Sequence, residues 1–267
     1  MSEVARVEWK DKVAVVSLAR STVLNAFDLD MAVKFAEVLG ALAVDDGCRA
    51  VVVTGEGRAF CSGGDLAWAR SHPQGLHAGF HVLAGRLHQS VTEIKRMKKP
   101  VIAAINGIAA GAGFSLALAC DFRVMDPSAV LKLAYTSIGL SMDGGASFSL
   151  PRLVGLARAT EIAALDAPIA AEQALAWGLV SRVASAGKAL EEAVELAGEL
   201  AKRSLNSFAW SKQLLNDSFD ISLETALERE RGALVACADH PDGREGLAAF
   251  AEKRSPDFQG KSGSGSD

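Results

Sequence analysis

The 267-residue chain is 49% hydrophobic, enough for a buried core, and its length suits one large domain or a core with a smaller appended unit. Its formal net charge is -4 with Lys and Arg spread along the sequence, so no basic patch offers itself to a nucleic acid. The longest apolar stretches are interrupted well short of a membrane span, and the N-terminus "MSEVARVEWKDK" carries acids where a signal peptide would be apolar.

The four cysteines, Cys48, Cys61, Cys120 and Cys237, lie far apart with no Cys-x-x-Cys. Neither a zinc site nor a disulfide framework is indicated, and reduced thiols in a cytoplasmic protein are expected.

In chain order, residues 5–19 read as two short strands around a charged turn. Asp28 is a candidate N-cap for an amphipathic helix ending near Asp45. A buried strand follows at 49–57, then the glycine loop "GRAFCSGGDL", then a long helical stretch from about Gly75 to Lys98. The strand "PVIAAIN" leads into the helix "GAGFSLALAC", and "DFRVMD" and "AVLKLAY" read as short strands. From Ser147 the chain turns mostly helical, with "GLVSRV" the last strand candidate. Strand alternating with helix predicts an α/β core. Beyond Ala197 several amphipathic helices need something to cover their apolar faces. The Gly/Ser-rich tail 260–267 is expected to be disordered.

"FCSGGDL" (60–66) and "NGIAAGAGFSLALACD" (106–121) share one plan: a strand, residues with little side chain, then a helix start. Such a loop lets backbone approach a ligand and offers unpaired helix N-H groups to an oxyanion or phosphate. Tight helix–strand packing also wants small residues. Neither loop is a nucleotide fingerprint, since Gly-Lys-Ser/Thr and the dinucleotide-binding spacing are both missing.

"AFCSGGDL", "KKPVIAAINGIAAGAGFSLALACDFRV", "LPRLVGLARATEI", "AEQALAWGLVSRV" and "EGLAAFAEKRSPDFQG" together resemble the enoyl-CoA hydratase/isomerase family, the crotonase superfamily, in that family's order. The resemblance implies a spiral of stacked ββα turns over residues 1–196 that binds an acyl-CoA thioester. It also implies a C-terminal helical region, 197–259, used in trimerisation, giving a homotrimer or a dimer of trimers. Coenzyme A enters as part of the substrate and no separate cofactor is implied. The family's oxyanion hole maps onto the N-H groups of Gly64 and Ala112. The CoA is expected against Ser62, Asp65 and Leu66, and Phe250 and Lys253 match positions that reach a neighbouring subunit's CoA.

Hydratases of the family use two glutamates, and this chain has Ser115 and Tyr135 at those places. A hydroxyl is a poor general base near neutral pH, so ordinary hydration is not the expected reaction. Attention moves to "GLSMDGG" (139–145). By itself Asp143 reads as a turn or capping residue. The segment resembles one that carries the working acid in ring-opening isomerases of epoxidised phenylacetyl-CoA and in certain dienoyl-CoA isomerases. It resembles nearly as well the 4-chlorobenzoyl-CoA dehalogenases, where the aspartate attacks the ring and a histidine at the place of His88 activates water. Tyr135 stands there in place of a tryptophan. His88 also suits a surface or packing role.

His77, His81 and His88 share a helical face without a carboxylate or cysteine at ligand spacing, which argues against a metal site. "GFSLA" lacks the second glycine of a serine nucleophile elbow. The expectation is an acyl-CoA isomerase in which Asp143 moves a proton, in surroundings made apolar by Met142, Tyr135 and Phe148. Aryl-CoA dehalogenation, an atypical hydratase or lyase, and a non-catalytic acyl-CoA-binding subunit are the alternatives. The acyl pocket should be shaped by residues 66–90 and by the C-terminal helices.

Overall fold

The computed structural model describes residues 4–259, so the expectation for the tail 260–267 lies outside the described residues. β1 (Ala5–Lys10) and β2 (Val13–Leu18) form an antiparallel hairpin, and α1 (Leu29–Val44) starts where Asp28 accepts a hydrogen bond from the Met31 amide at 2.9 Å. β3 (Ala50–Gly55) and β5 (Val101–Ile105) then join β2 in parallel, followed by β7 (Phe122–Met125) and the short β10 (Arg182–Val183). This six-stranded sheet has the order β1-β2-β3-β5-β7-β10.

A second sheet of four strands runs beside it, in the order β4 (Ala59–Cys61), β6 (Ile108–Ala110), β8 (Val130–Lys132) and β9 (Ile169–Ala170). Each of β3, β5 and β7 is thus followed by a partner strand in the smaller sheet and then by helix. These are the turns of a ββα spiral. β4 and β6 correct the sequence reading, which placed only glycine loop there. Each is three residues long and rich in small side chains, too short to show a period of two.

Both faces of the large sheet are covered. Ala14, Val16, Val51, Val53, Val101 and Ala103 pack with α1 and the helices α3 (Leu76–Arg96) and α4 (Ala112–Ala119). The alternate residues Val13, Val15, Ala50, Val52, Ile102 and Ala104 pack with α7 (Ala189–Ala201). That is why β3 and β5 read as unbroken apolar runs. α7 lays Ala189, Ala193, Leu196, Ala197 and Ala201 on the sheet, so the boundary expected after residue 196 falls inside a core helix.

Two more helices shape the centre of the chain: the short α2 (Leu66–Ser71), which begins where the first glycine loop predicts a helix start, and α5 (Ala146–Leu165), broken at Gly155 by a φ of 74°. After α6 (Ala171–Ala176), α8 (Leu205–Asp217), α9 (Leu223–Asp239) and α10 (Pro241–Glu252) form the C-terminal piece. One link to the core is Lys212, whose Nζ donates to Ile94 O at 2.6 Å and to Asp121 Oδ2 at 2.7 Å. Leu215, Phe219, Leu223, Leu234 and Leu247 remain exposed. All four cysteines are free, and no helix among the described residues is long and apolar enough to cross a membrane.

Candidate active site

A cavity of about 600 Å³ opens between the two glycine loops, α3 and the segment 134–147. Ser62, Gly64, Leu66 and Ala112 line one side, His88 the α3 wall, and Tyr135 and Asp143 the other side. His77, His81 and Met142 line it too. The cavity wall from 66–90 is as expected; the C-terminal helices contribute none of its lining, because they pack beyond α3.

The Gly64 amide is aimed by an isolated parallel bridge. Phe27 donates its N-H to Gly63 O and accepts from Asp65 N-H, both at 2.8 Å. In extended chain the intervening peptide groups point the opposite way, which turns the Gly64 N-H from Phe27 toward the cavity. Ala112 opens α4, so its amide has no partner inside the helix and lies at the positive end of the helix dipole. Neither N-H has a backbone acceptor among the described residues.

Glycine is required where these loops meet. A Cβ on Gly63 (φ 114°) would lie 3.2 Å from Ala110 O and 3.5 Å from Ala112 N, and Gly111 (φ 54°) has the Gly63 Cα equally near, 3.6 Å from its own missing Cβ. Gly113 seats α4 on β4, since a Cβ there would be 2.1 Å from Cys61 O. The Cys61 thiol is pushed up to about 12 by burial, which removes it as a nucleophile.

α3 forms the opposite wall at helical spacing. Leu83 touches the Gly64 position, Leu87 the Gly144 position and Val91 the Gly145 position. One helical step of four residues, about 6 Å, therefore separates the level of the amides from that of Asp143.

Asp143 meets His88, with 2.7 Å between Oδ1 and the imidazole Nε2. The same Oδ1 accepts the N-H of Gly144. Oδ2 has no protein partner among the described residues. Beneath this loop Ser115 is fully buried, with its Oγ 3.3 Å from the Tyr135 hydroxyl and 3.2 Å from Gly111 O, to which it donates. Burial pushes the Tyr135 phenol above its usual range; the Ser115 hydroxyl opposes this and the Asp143 carboxylate adds to it. These surroundings favour the neutral phenol.

Four expected residues lie elsewhere. The Asp65 carboxylate caps α2 through the Trp68 amide and pairs with Arg20 instead of lining the cavity. Phe148 is turned under Arg152, whose Cζ is 3.5 Å from the ring centroid. Phe250, 85% exposed on α10, and Lys253, at that helix's C-cap, are outside the cavity of their own chain. Phe27 is a lining residue that sequence reasoning missed, because its role lies in a backbone bridge and not in its side-chain type.

A spiral of ββα turns with small-residue loops that present two free amides to one cavity defines a crotonase fold. Residues 8–261 match the family described as enoyl-CoA hydratase/isomerase. The 1,2-epoxyphenylacetyl-CoA isomerase of Escherichia coli (strain K12) is 36% identical over 250 residues, 93% of this chain and 95% of that protein. The 4-chlorobenzoyl coenzyme A dehalogenase-2 of Arthrobacter sp is 34% identical over 248 residues, 92% of this chain and 90% of that protein. The crystal structure of an enoyl-CoA hydratase from Polaromonas sp. JS666 superposes with a TM-score of 0.88 at 39% identity, covering 94% of this chain and 98% of that one. The chain belongs to the enoyl-CoA hydratase/isomerase family and is a crotonase-superfamily enzyme of acyl-CoA metabolism.

Proposed function

We propose that the protein is an acyl-CoA isomerase. The Gly64 and Ala112 N-H groups hold the thioester oxygen, and Oδ2 of Asp143 removes an α or vinylogous proton. The C-H electron pair passes to the thioester as an enolate, and the enolate recovers the proton from Asp143 at another carbon. The carboxylate is restored at the end of the cycle. The observation that carries this reading is the placement of Asp143: its Oδ1 is held by His88 and Gly144, and its Oδ2 is unpaired at the wall of the amide-lined cavity. Ser115 and Tyr135 leave the hydratase positions without a carboxylate.

The test is a mass-spectrometric screen of straight-chain, branched and aromatic acyl-CoA esters in heavy water. Isomerisation with solvent deuterium incorporation supports the reading; tight binding without turnover across the panel supports a non-catalytic acyl-CoA-binding subunit; stable net hydration overturns it.

The His88 contact favours a second reading, aryl-CoA dehalogenation, with Asp143 as nucleophile and His88 as the base for water. A single turnover of 4-chlorobenzoyl-CoA in oxygen-18 water distinguishes the two, because only a nucleophilic Asp143 acquires the label.

Trimerisation is part of the proposal. The exposed apolar side chains of α8, α9 and α10 suit a subunit interface, and exposed Phe250 and Lys253 suit contact with a neighbour's CoA. A monomer at micromolar concentration in analytical ultracentrifugation is the contrary result.

A further inference from the structure

Arg20 lies outside the cavity lining, yet its guanidinium joins the two chain segments that aim the Gly64 amide. Nη2 is 3.0 Å from Asp28 Oδ2 and 3.0 Å from Asp65 Oδ2, and Nη1 donates to Ala26 O. Asp28 and Asp65 are the N-caps of α1 and α2. They immediately follow Phe27 and Gly64, the two partners of the isolated bridge. The base of Arg20 is fixed as well: its N-H donates to Asn25 Oδ1 at 3.0 Å, and the buried Asn25 amide donates to Glu56 O and Ala59 O at the edge of β4. The arginine side chain is 19% exposed, and the Asp28 and Asp65 side chains are 18% and 15% exposed.

A planar fork with several fixed donors suits this task, because it holds two carboxylates and a carbonyl at set angles where an ammonium would not. The bridge itself is a single backbone pair with no ladder on either side. Among its hydrogen bonds to other segments, the Gly63–Gly64 peptide is held by that pair and, through the next residue, by whatever holds Asp65. Glycine at both positions adds no stiffness.

We propose that Arg20 is a positioning residue that fixes the direction of the Gly64 N-H, acting through Asp65. This rests on the acyl-CoA reading above. Arg20 touches no substrate; it sets how strongly the hole polarises the thioester carbonyl.

The probe is 4-aminocinnamoyl-CoA, a push–pull thioester whose absorption moves to the red when its carbonyl accepts strong hydrogen bonds. Binding and wavelength shift are read in the same titration of the full-length protein. Arg20→Gln and Asp65→Asn are expected to keep the Kd within about threefold while losing roughly half or more of the shift, since the amide remains present but is no longer preorganised. Asp28→Asn, which keeps a capping oxygen on α1 and leaves Asp65 paired with Arg20, is expected to keep the shift. If Arg20→Gln does not fold, Asp65→Asn decides alone, as asparagine still caps α2. A full shift in Asp65→Asn overturns the proposal, and so does an equal loss in Asp28→Asn, which would make Arg20 a general staple of the two helices. Wild-type protein that binds the probe without any shift overturns the oxyanion-hole reading itself.

Discussion

His88 and Asp143, 55 residues apart in the chain, meet at 2.7 Å across the mouth of the cavity. The contact leaves one carboxylate oxygen occupied and the other open, which makes the pair asymmetric before any substrate arrives. Asp143→Asn should lower kcat by about 10²–10⁴, the usual share of a general base, with CoA-ester affinity kept. Exchange of the substrate's α or vinylogous proton with heavy water should vanish. His88→Gln retains a donor for Oδ1 and is expected to lose far less. Wild-type exchange in Asp143→Asn would return the aspartate to a turn-forming role.

Gly111→Ala should be costly twice over. The position has φ 54° and ψ -123°, a region closed to residues with a Cβ, so roughly 1–3 kcal/mol of stability should be lost in urea unfolding. Any relaxation moves the neighbouring Ala112 amide, and a misplacement of about 1 Å can cost on the order of a hundredfold in turnover. Gly40→Ala, in the middle of α1 with open space around it, is the control and should be neutral or slightly stabilising.

Asp166 predicts a pH effect. Burial works to raise its pKa, but hydrogen bonds from Ser137 and Ala134, with Lys132 nearby, outweigh it and the carboxyl is held below its ordinary value. A depressed folded pKa means stability that is present above the unfolded value of about 3.9 and is lost as pH falls through the folded one. Asp166→Asn should cost about 1–2 kcal/mol at neutral pH, and the gap to wild type should close below about pH 4. Urea midpoints measured against pH check this; a gap that is constant with pH contradicts it.

Lys212→Met should be the most damaging change outside the cavity. It leaves Asp121 buried without its cation, at a cost of about 3–5 kcal/mol. Burial already pushes the Asp121 carboxyl above the usual carboxylate range, against the opposing pull of Lys212. The double variant Lys212→Met, Asp121→Asn should recover part of the loss in thermal or urea unfolding. If the single variant is neutral, the pair does not fasten α8 to the core.

The family's motifs, the alternation of strand and helix and the two glycine loops are all legible in the sequence. Asp28 announced its helix because a cap is a local event, settled within four residues. β4 and β6 escaped notice because three small residues carry no periodicity. The meeting of His88 with Asp143 was suggested only by resemblance, since no local rule joins an α3 residue to a loop 55 positions later. Arg20 left no trace at all: its importance depends on two caps and a backbone bridge that become neighbours only when the first turns of the spiral close. Residue 196 falls within α7, which looks like other amphipathic helices until the sheet's second face is seen to need a cover.

The two cavity amides come from different turns of the spiral, Gly64 after β4 and Ala112 after β6. If both amides grip the thioester, as proposed, neither turn alone can do so, and affinity for the ligand and completion of folding are one equilibrium. An acyl-CoA at a hundred times its Kd would add about 2.7 kcal/mol to the native state, and an unfolded or half-wound chain would gain nothing from it. Unfolding followed with and without an acyl-CoA ester would show this gain as a raised midpoint.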